Sequence, residues 1–109
     1  MSTEFPYGQG GSMDDELRFC WDKSKAASNL VKHGVSFEAA TYVFDDPMRL
    51  EQNDVFAEGA YRNIVVGRVG GVVLTVVYSV PEEDLCRIIS ARVATAHERK
   101  TYEQSLFYP

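Results

Sequence analysis

A chain of 109 residues, 45% hydrophobic and 25% charged, has the composition of one ordinary soluble domain. It is long enough to bury a core without disulfide or metal staples. A net charge of −5 argues against a protein that coats nucleic acid by bulk electrostatics, and no apolar run approaches the roughly 20 residues that span a bilayer.

Residues 1–12, MSTEFPYGQGGS, lack the basic and apolar regions of a signal peptide. Their Gly/Ser/Pro-rich make-up reads as a flexible tail, native or a cloning remnant, with Met13 a candidate natural start. Residues 13–109 read as a single domain. A short strand is expected over 17–21. Asp22 is a good N-cap for the helix that follows, and Ala26, Ala27, Leu30 and Val31 form an apolar stripe at helical spacing. Gly34 is the stop, with the cations of Lys32 and His33 in the last turn. Ser36 caps a second helix bearing Phe37, Ala40, Val43 and Phe44 on one side, and Pro47 ends it. The two helices form a hairpin.

Residues 48–60 read as a short edge strand around Arg49, Leu50 and Glu51, followed by a polar loop. Residues 62–69 alternate as a strand, Gly70 and Gly71 make a tight turn, and residues 72–80 are apolar on both faces, a central strand. A turn at 81–84 leads into a strand from Leu85 to Val93. Thr95 to Glu98 then has the form T-x-x-E, a capping box. The order is β-αα-β-β-β-β-α. It predicts an α+β fold with an antiparallel sheet of four to five strands, an N-terminal helical hairpin and a C-terminal helix, with the helices on one face. Cys20 and Cys86 lack metal-ligand spacing and read as buried thiols of a reducing compartment.

W-D-x-x-K from Trp21, N-x-x-K-H-G-V-S-F from Asn29, R-I-I-S-A-R from Arg87 and E-R-x-x-Y from Glu98 together resemble the BrnT toxin family of bacterial type II toxin–antitoxin systems. The resemblance covers nearly all of residues 18–102. It implies a RelE-like ribonuclease fold, RNA cleavage that arrests growth, and neutralisation by a ribbon-helix-helix antitoxin of the BrnA kind. Operator DNA would be met only through that antitoxin, in the cytoplasm. Non-catalytic alternatives are a toxin-like binding module acting through a partner protein, and an RNA-binding domain without cleavage.

A metal-free, cofactor-free ribonuclease must activate the ribose 2′-hydroxyl, stabilise the phosphorane and protonate the leaving 5′ oxygen. Arg92, in the S-A-R block beside a capped helix, is the first candidate, since a guanidinium fork suits phosphate. Its structural alternative is a salt bridge to Glu98 or to an acid of the second helix. His33 can serve as acid or base near neutral pH. Lys32 and Arg62 match family cations and complete the catalytic candidates. Arg68, Arg99 and Tyr102 are candidate RNA contacts, Glu98 is expected as capping scaffold, and His97 has no match in the family pattern. A simple meander puts Arg62 and Arg92 at opposite ends of the sheet, about 20 Å apart. Arg92 then belongs with Arg68, and Arg62 with Arg87. An exposed sheet face and open strand edges would receive the antitoxin.

Overall fold

The computed structural model describes residues 3–5 and 17–107. Six strands form one sheet. They are β1 (Thr3–Phe5), β2 (Arg18–Trp21), β3 (Leu50–Ala57), β4 (Ala60–Val69), β5 (Val72–Glu82) and β6 (Leu85–Val93), in the spatial order β1-β2-β6-β5-β4-β3. The helices are α1 (Lys23–His33), α2 (Phe37–Thr41) and α3 (Ala96–Ser105).

The α+β class and the β4-β5-β6 meander agree with expectation, and β5 is central. The purely antiparallel description does not hold, because β2 lies parallel to β6, pairing Phe19 with Cys86. That contact joins residues far apart in sequence, and no local pattern encodes it. Within the expected tail, Thr3–Phe5 pairs antiparallel with β2; the rest of residues 1–12 lies outside the described residues.

The expected polar loop is mostly strand. β3 runs the full length of Leu50–Ala57 and meets β4 through a two-residue turn at Glu58 and Gly59, both with positive φ. A register shift between Gln52 and Val55 interrupts the pairing, with Asp54 at φ 60°. This edge strand is polar because most of its side chains face solvent. The expected second helix is split. α2 stops at Thr41, and a 3-10 turn, Tyr42–Asp45, completes it.

The expected stripe of α1 is turned inward only at Ala26, which packs against the core. Leu30 is 51% and Val31 89% exposed, and the buried side chain of the helix is Asn29. Beyond Arg87 the outer edge of β6 is no longer paired with β2. The Asn29 side chain takes over as partner. Its Nδ2 donates to the Ala91 carbonyl (2.8 Å), and its Oδ1 accepts from the Ala91 N–H (3.1 Å). A primary amide thus stands in for a peptide group at a strand edge. The same Nδ2 donates to the Val35 carbonyl at 2.9 Å, tying down the turn after α1.

Helices cover both faces, not one. Phe37, Ala40 and Val43 pack with Val65, Val76, Ala91 and Ile88 on the first face. Trp21 meets Phe37 edge-on at 5.7 Å, and Phe44 meets Tyr78 at 5.0 Å. Gly67 lets this layer close over β4, since a Cβ there would lie 2.9 Å from Val43 Cγ1. The opposite face carries Arg68, Thr75 and Arg92, and α3 docks there. Val73, Thr75 and Val77 on it are buried, so this face is not an open docking surface. Among the described residues no strand pairs with the outer edge of β3. Cys20 and Cys86 are buried free thiols. Burial first, then the neighbouring Cys20 and Glu51, pushes the Cys86 thiol up, which leaves it unreactive at neutral pH.

Candidate functional site

Register brings one group of candidates to one end of the sheet. Arg68 pairs with Val73, Val66 with Thr75, and Thr75 with Arg92. Arg68 and Arg92 are therefore diagonal neighbours across β5. The Asn29 bonds hold the C-terminal end of α1 beside Ala91, so exposed Lys32 and half-buried His33 lie at the same end of the sheet, on the helix layer opposite the face of Arg92. Arg62 sits six residues back along β4, about 20 Å away, beside Val55 of β3 and across β5 from Arg87. Its Nε is buried and has no hydrogen-bond partner among the described residues. Arg62 and Arg92 do not share a centre.

The end of β6 is locked to α3 through one carboxylate. The Thr95 hydroxyl accepts from the Glu98 N–H (3.1 Å), and Glu98 Oε1 accepts from the Thr95 N–H (2.9 Å), the expected capping box. The same carboxylate accepts Arg92 Nη1 at 2.7 Å and Nη2 at 3.0 Å, and the Thr75 hydroxyl at 2.9 Å. The Arg92 hydrogen bond, above all, outweighs burial and, with Thr95, Thr75 and the Arg92 charge, brings the Glu98 carboxyl down to about 2. Of the five N–H donors of a guanidinium, Glu98 engages two, and Nη1 also approaches the Val93 carbonyl at 3.5 Å. Two donors remain for an anion.

This ion pair sets an acid dependence. Glu98 is lowered on folding from an ordinary value near 4.5 to about 2. Between these values the unfolded chain binds the proton more readily. The pair's contribution is therefore complete above pH 4.5 and is lost as pH falls towards 2. Arg92 is 36% and Glu98 27% exposed, so the contribution is about 1 kcal/mol, the scale of a solvent-screened pair. In Glu98→Gln, melting curves from pH 5 to pH 2 should show a shallower acid slope than wild type. An unchanged slope would mean that the pair does not set it.

One turn after Glu98, Tyr102 makes the second clamp. It is 2% exposed and donates from its hydroxyl to Asp46 Oδ2 at 2.5 Å. Asp46 also accepts from the Arg68 N–H (2.8 Å) and the Met48 N–H (2.8 Å). Burial raises its pKa, but these bonds and the Arg68 charge outweigh it and hold the carboxyl below its ordinary value. The Arg68 guanidinium lies over the Tyr102 ring, 5.6 Å from its centre. Glu98 and Tyr102, four residues apart, thus face the sheet and dock α3, while Arg99 between them is exposed, as is His97.

Sequence reasoning missed Asp46 and the role of Asn29. Asn29 stands in a quoted motif, but nothing local shows that its partner is Ala91. Asp46 follows another acid before a proline and carries no spacing signal. Beside it, Tyr42, Asp45, Asp46, Arg68, Val69 and Gly70 line an open pocket of about 370 Å³.

Fold and site define a small α+β protein with a six-stranded mixed sheet, one end of which gathers arginines, carboxylates and a tyrosine under a docked helix. The family model for the ribonuclease toxin BrnT of type II toxin–antitoxin systems matches residues 21–98, and the chain belongs to that family. The match takes in Lys32, His33, Arg62, Arg68 and Arg92 and stops before Arg99 and Tyr102. The fold is similar to the crystal structure of the Brucella abortus ribonuclease toxin BrnT, with a TM-score of 0.50 and 24% identity over 69% of this chain and 92% of that one. At that identity the likeness is one of fold. No curated protein matches the chain. Among the described residues no helix is long and apolar enough to cross a membrane.

Proposed function

We propose that this chain is an endoribonuclease toxin that cuts RNA without a metal ion and arrests growth in the cytoplasm until a ribbon-helix-helix antitoxin of the BrnA kind binds it. Membership of the ribonuclease toxin family across residues 21–98 carries the reading. The proposed centre is the sheet end holding Arg92, Lys32 and His33. The ribose 2′-oxygen attacks phosphorus, the bond to the 5′ oxygen breaks, and a 2′,3′-cyclic phosphate and a 5′-hydroxyl result. The two unengaged donors of Arg92 take the charge of the phosphorane, and Lys32 adds a second cation. His33 takes the proton of the 2′-hydroxyl as base and, as imidazolium, returns it to the leaving 5′ oxygen. Arg99 holds a neighbouring phosphate, Arg68 contacts the RNA beside the cut, and Arg62, at the far end of β4, meets the strand beyond it. Tyr102 acts by positioning Arg68. The open β3 edge, with Glu51, Asp54 and Glu58 on or next to it, is a surface for a basic antitoxin segment.

Induced expression of the protein alone should slow growth, and co-expression of an adjacent antitoxin gene should restore it. Pure protein should cut RNA equally well in excess EDTA, because the proposed chemistry draws its proton transfer and charge stabilisation from His33, Lys32 and Arg92. Complete inhibition by the chelator would refute the metal-free mechanism. Neither toxicity nor cleavage would remove the enzyme and leave a toxin-like binding module.

A further inference from the structure

The pocket beside Asp46 has the chemistry of a base-recognition site. Its volume of about 370 Å³ falls at the small end of the range for small-molecule sites. Three of its lining side chains have complementary properties. The Tyr42 ring is 54% exposed and offers a stacking surface. Asp45 is exposed, and its carboxylate makes no hydrogen bond or ion pair among the described residues. Arg68 brings a guanidinium that rests on the Tyr102 ring. Asp46, by contrast, already accepts from three donors, two backbone N–H groups and the Tyr102 hydroxyl. It belongs to the wall and not to the recognition set.

An unpaired RNA base is read by stacking on an aromatic ring and by hydrogen bonds along its edges. A carboxylate is best filled by two parallel N–H donors. Guanine alone offers such a pair, at N1 and the exocyclic N2. Cytosine and adenine offer one amino group beside an acceptor, and uracil one N–H between two acceptors. Guanine also presents O6 and N7, the acceptor pair that an arginine fork takes up. A pocket with one free carboxylate, one guanidinium and one exposed aromatic ring therefore matches guanine on both edges. A purely cationic ligand, such as a partner's arginine, would satisfy Asp45 but meet the charge of Arg68.

We propose that this pocket is a guanine-binding subsite, with Asp45 reading N1 and N2, Arg68 reading O6 and N7, and Tyr42 stacking on the base. The proposal takes its substrate class from the RNA-cleaving reading above. It gives the enzyme a preference for an unpaired guanosine at a fixed position relative to the cut, since the pocket adjoins the sheet end that carries Arg92.

The test is a titration of the isotope-labelled full chain with guanosine, adenosine, cytidine and uridine 3′-monophosphates, followed by NMR. Guanosine monophosphate should bind at least tenfold more tightly than the other three and shift the signals of Tyr42, Asp45 and Gly70. Asp45→Asn keeps the size but turns one acceptor into a donor. It should abolish the tenfold preference with an unchanged melting temperature. Tyr42→Ala should weaken all four nucleotides together. Equal binding of the four, a preference that survives in Asp45→Asn, or shifts caused only by an arginine-rich peptide would overturn the proposal. Because binding is read without cleavage, a guanosine preference in a protein that cuts no RNA would uphold the subsite and refute the ribonuclease. RNA cleavage with no base preference would do the reverse.

Discussion

Asn29→Ala should lower the melting temperature by roughly 10–20 °C, the largest loss expected from any single polar truncation in this chain. The side chain is buried and makes three bonds, to both backbone groups of Ala91 and to the Val35 carbonyl. Its removal leaves one N–H and two carbonyls without partners away from water. Each such group costs about 1–3 kcal/mol, and partial entry of water brings the sum to about 3 kcal/mol. Asn29→Asp should be as damaging, because a carboxylate would face the Ala91 and Val35 carbonyls that now accept from an amide. Thermal unfolding by circular dichroism reads both. A drop of only about 2 °C in either variant would show that the strand-edge role is dispensable. The functional consequence follows from position. Asn29 holds the end of α1, so its loss should also displace Lys32 and His33 from the sheet end that carries Arg92.

Arg92→Ala should reduce RNA cleavage by about a hundredfold or more, the effect of removing a donor aimed at developing charge, while lowering the melting temperature by about 4–8 °C, the shift that 1 kcal/mol produces in a domain of this size. The fold tolerates the change because Glu98 keeps the Thr75 hydroxyl and the Thr95 N–H, so its carboxylate is not left bare. Arg92→Lys retains a charge but cannot span both oxygens of Glu98. It should recover stability better than cleavage. Initial rates on a labelled RNA, set beside melting curves, separate the two roles. The opposite split, a large loss of stability with cleavage intact, would make Arg92 part of the scaffold that docks α3.

The local devices were legible in the sequence. Asp22 caps α1 by accepting from the Ser24 and Lys25 N–H groups, and Ser36 caps α2. Gly34 takes the left-handed conformation at φ 72°, and Thr95 and Glu98 close their box. Each depends on groups within about four residues of one another. The pairing of Arg68 with Arg92 was also readable, since it needs only the direction of alternate strands in a meander. The polar strand β3 was not. Its residues lack apolar alternation because an edge strand with solvent on its sides needs none. The Leu30 and Val31 part of the α1 stripe misled for a related reason. Periodicity counts hydrophobic area, whereas here the open backbone edge of β6 decided which side of the helix turned inward.

By itself, the order of residues determined the element types, the caps and turns, the central place of β5 and the family, all carried by short-range physics or contiguous motifs. Only the tertiary structure decided what those elements do to one another. It set β2 parallel to β6, put α3 on the face opposite α1 and α2, joined Asn29 to Ala91 across 62 positions, and joined Tyr102 to Asp46 across 56. The physical reason is the same in each case. A buried polar group must find a partner, and the partner that satisfies it is chosen by the folded geometry, however far away it lies in the chain.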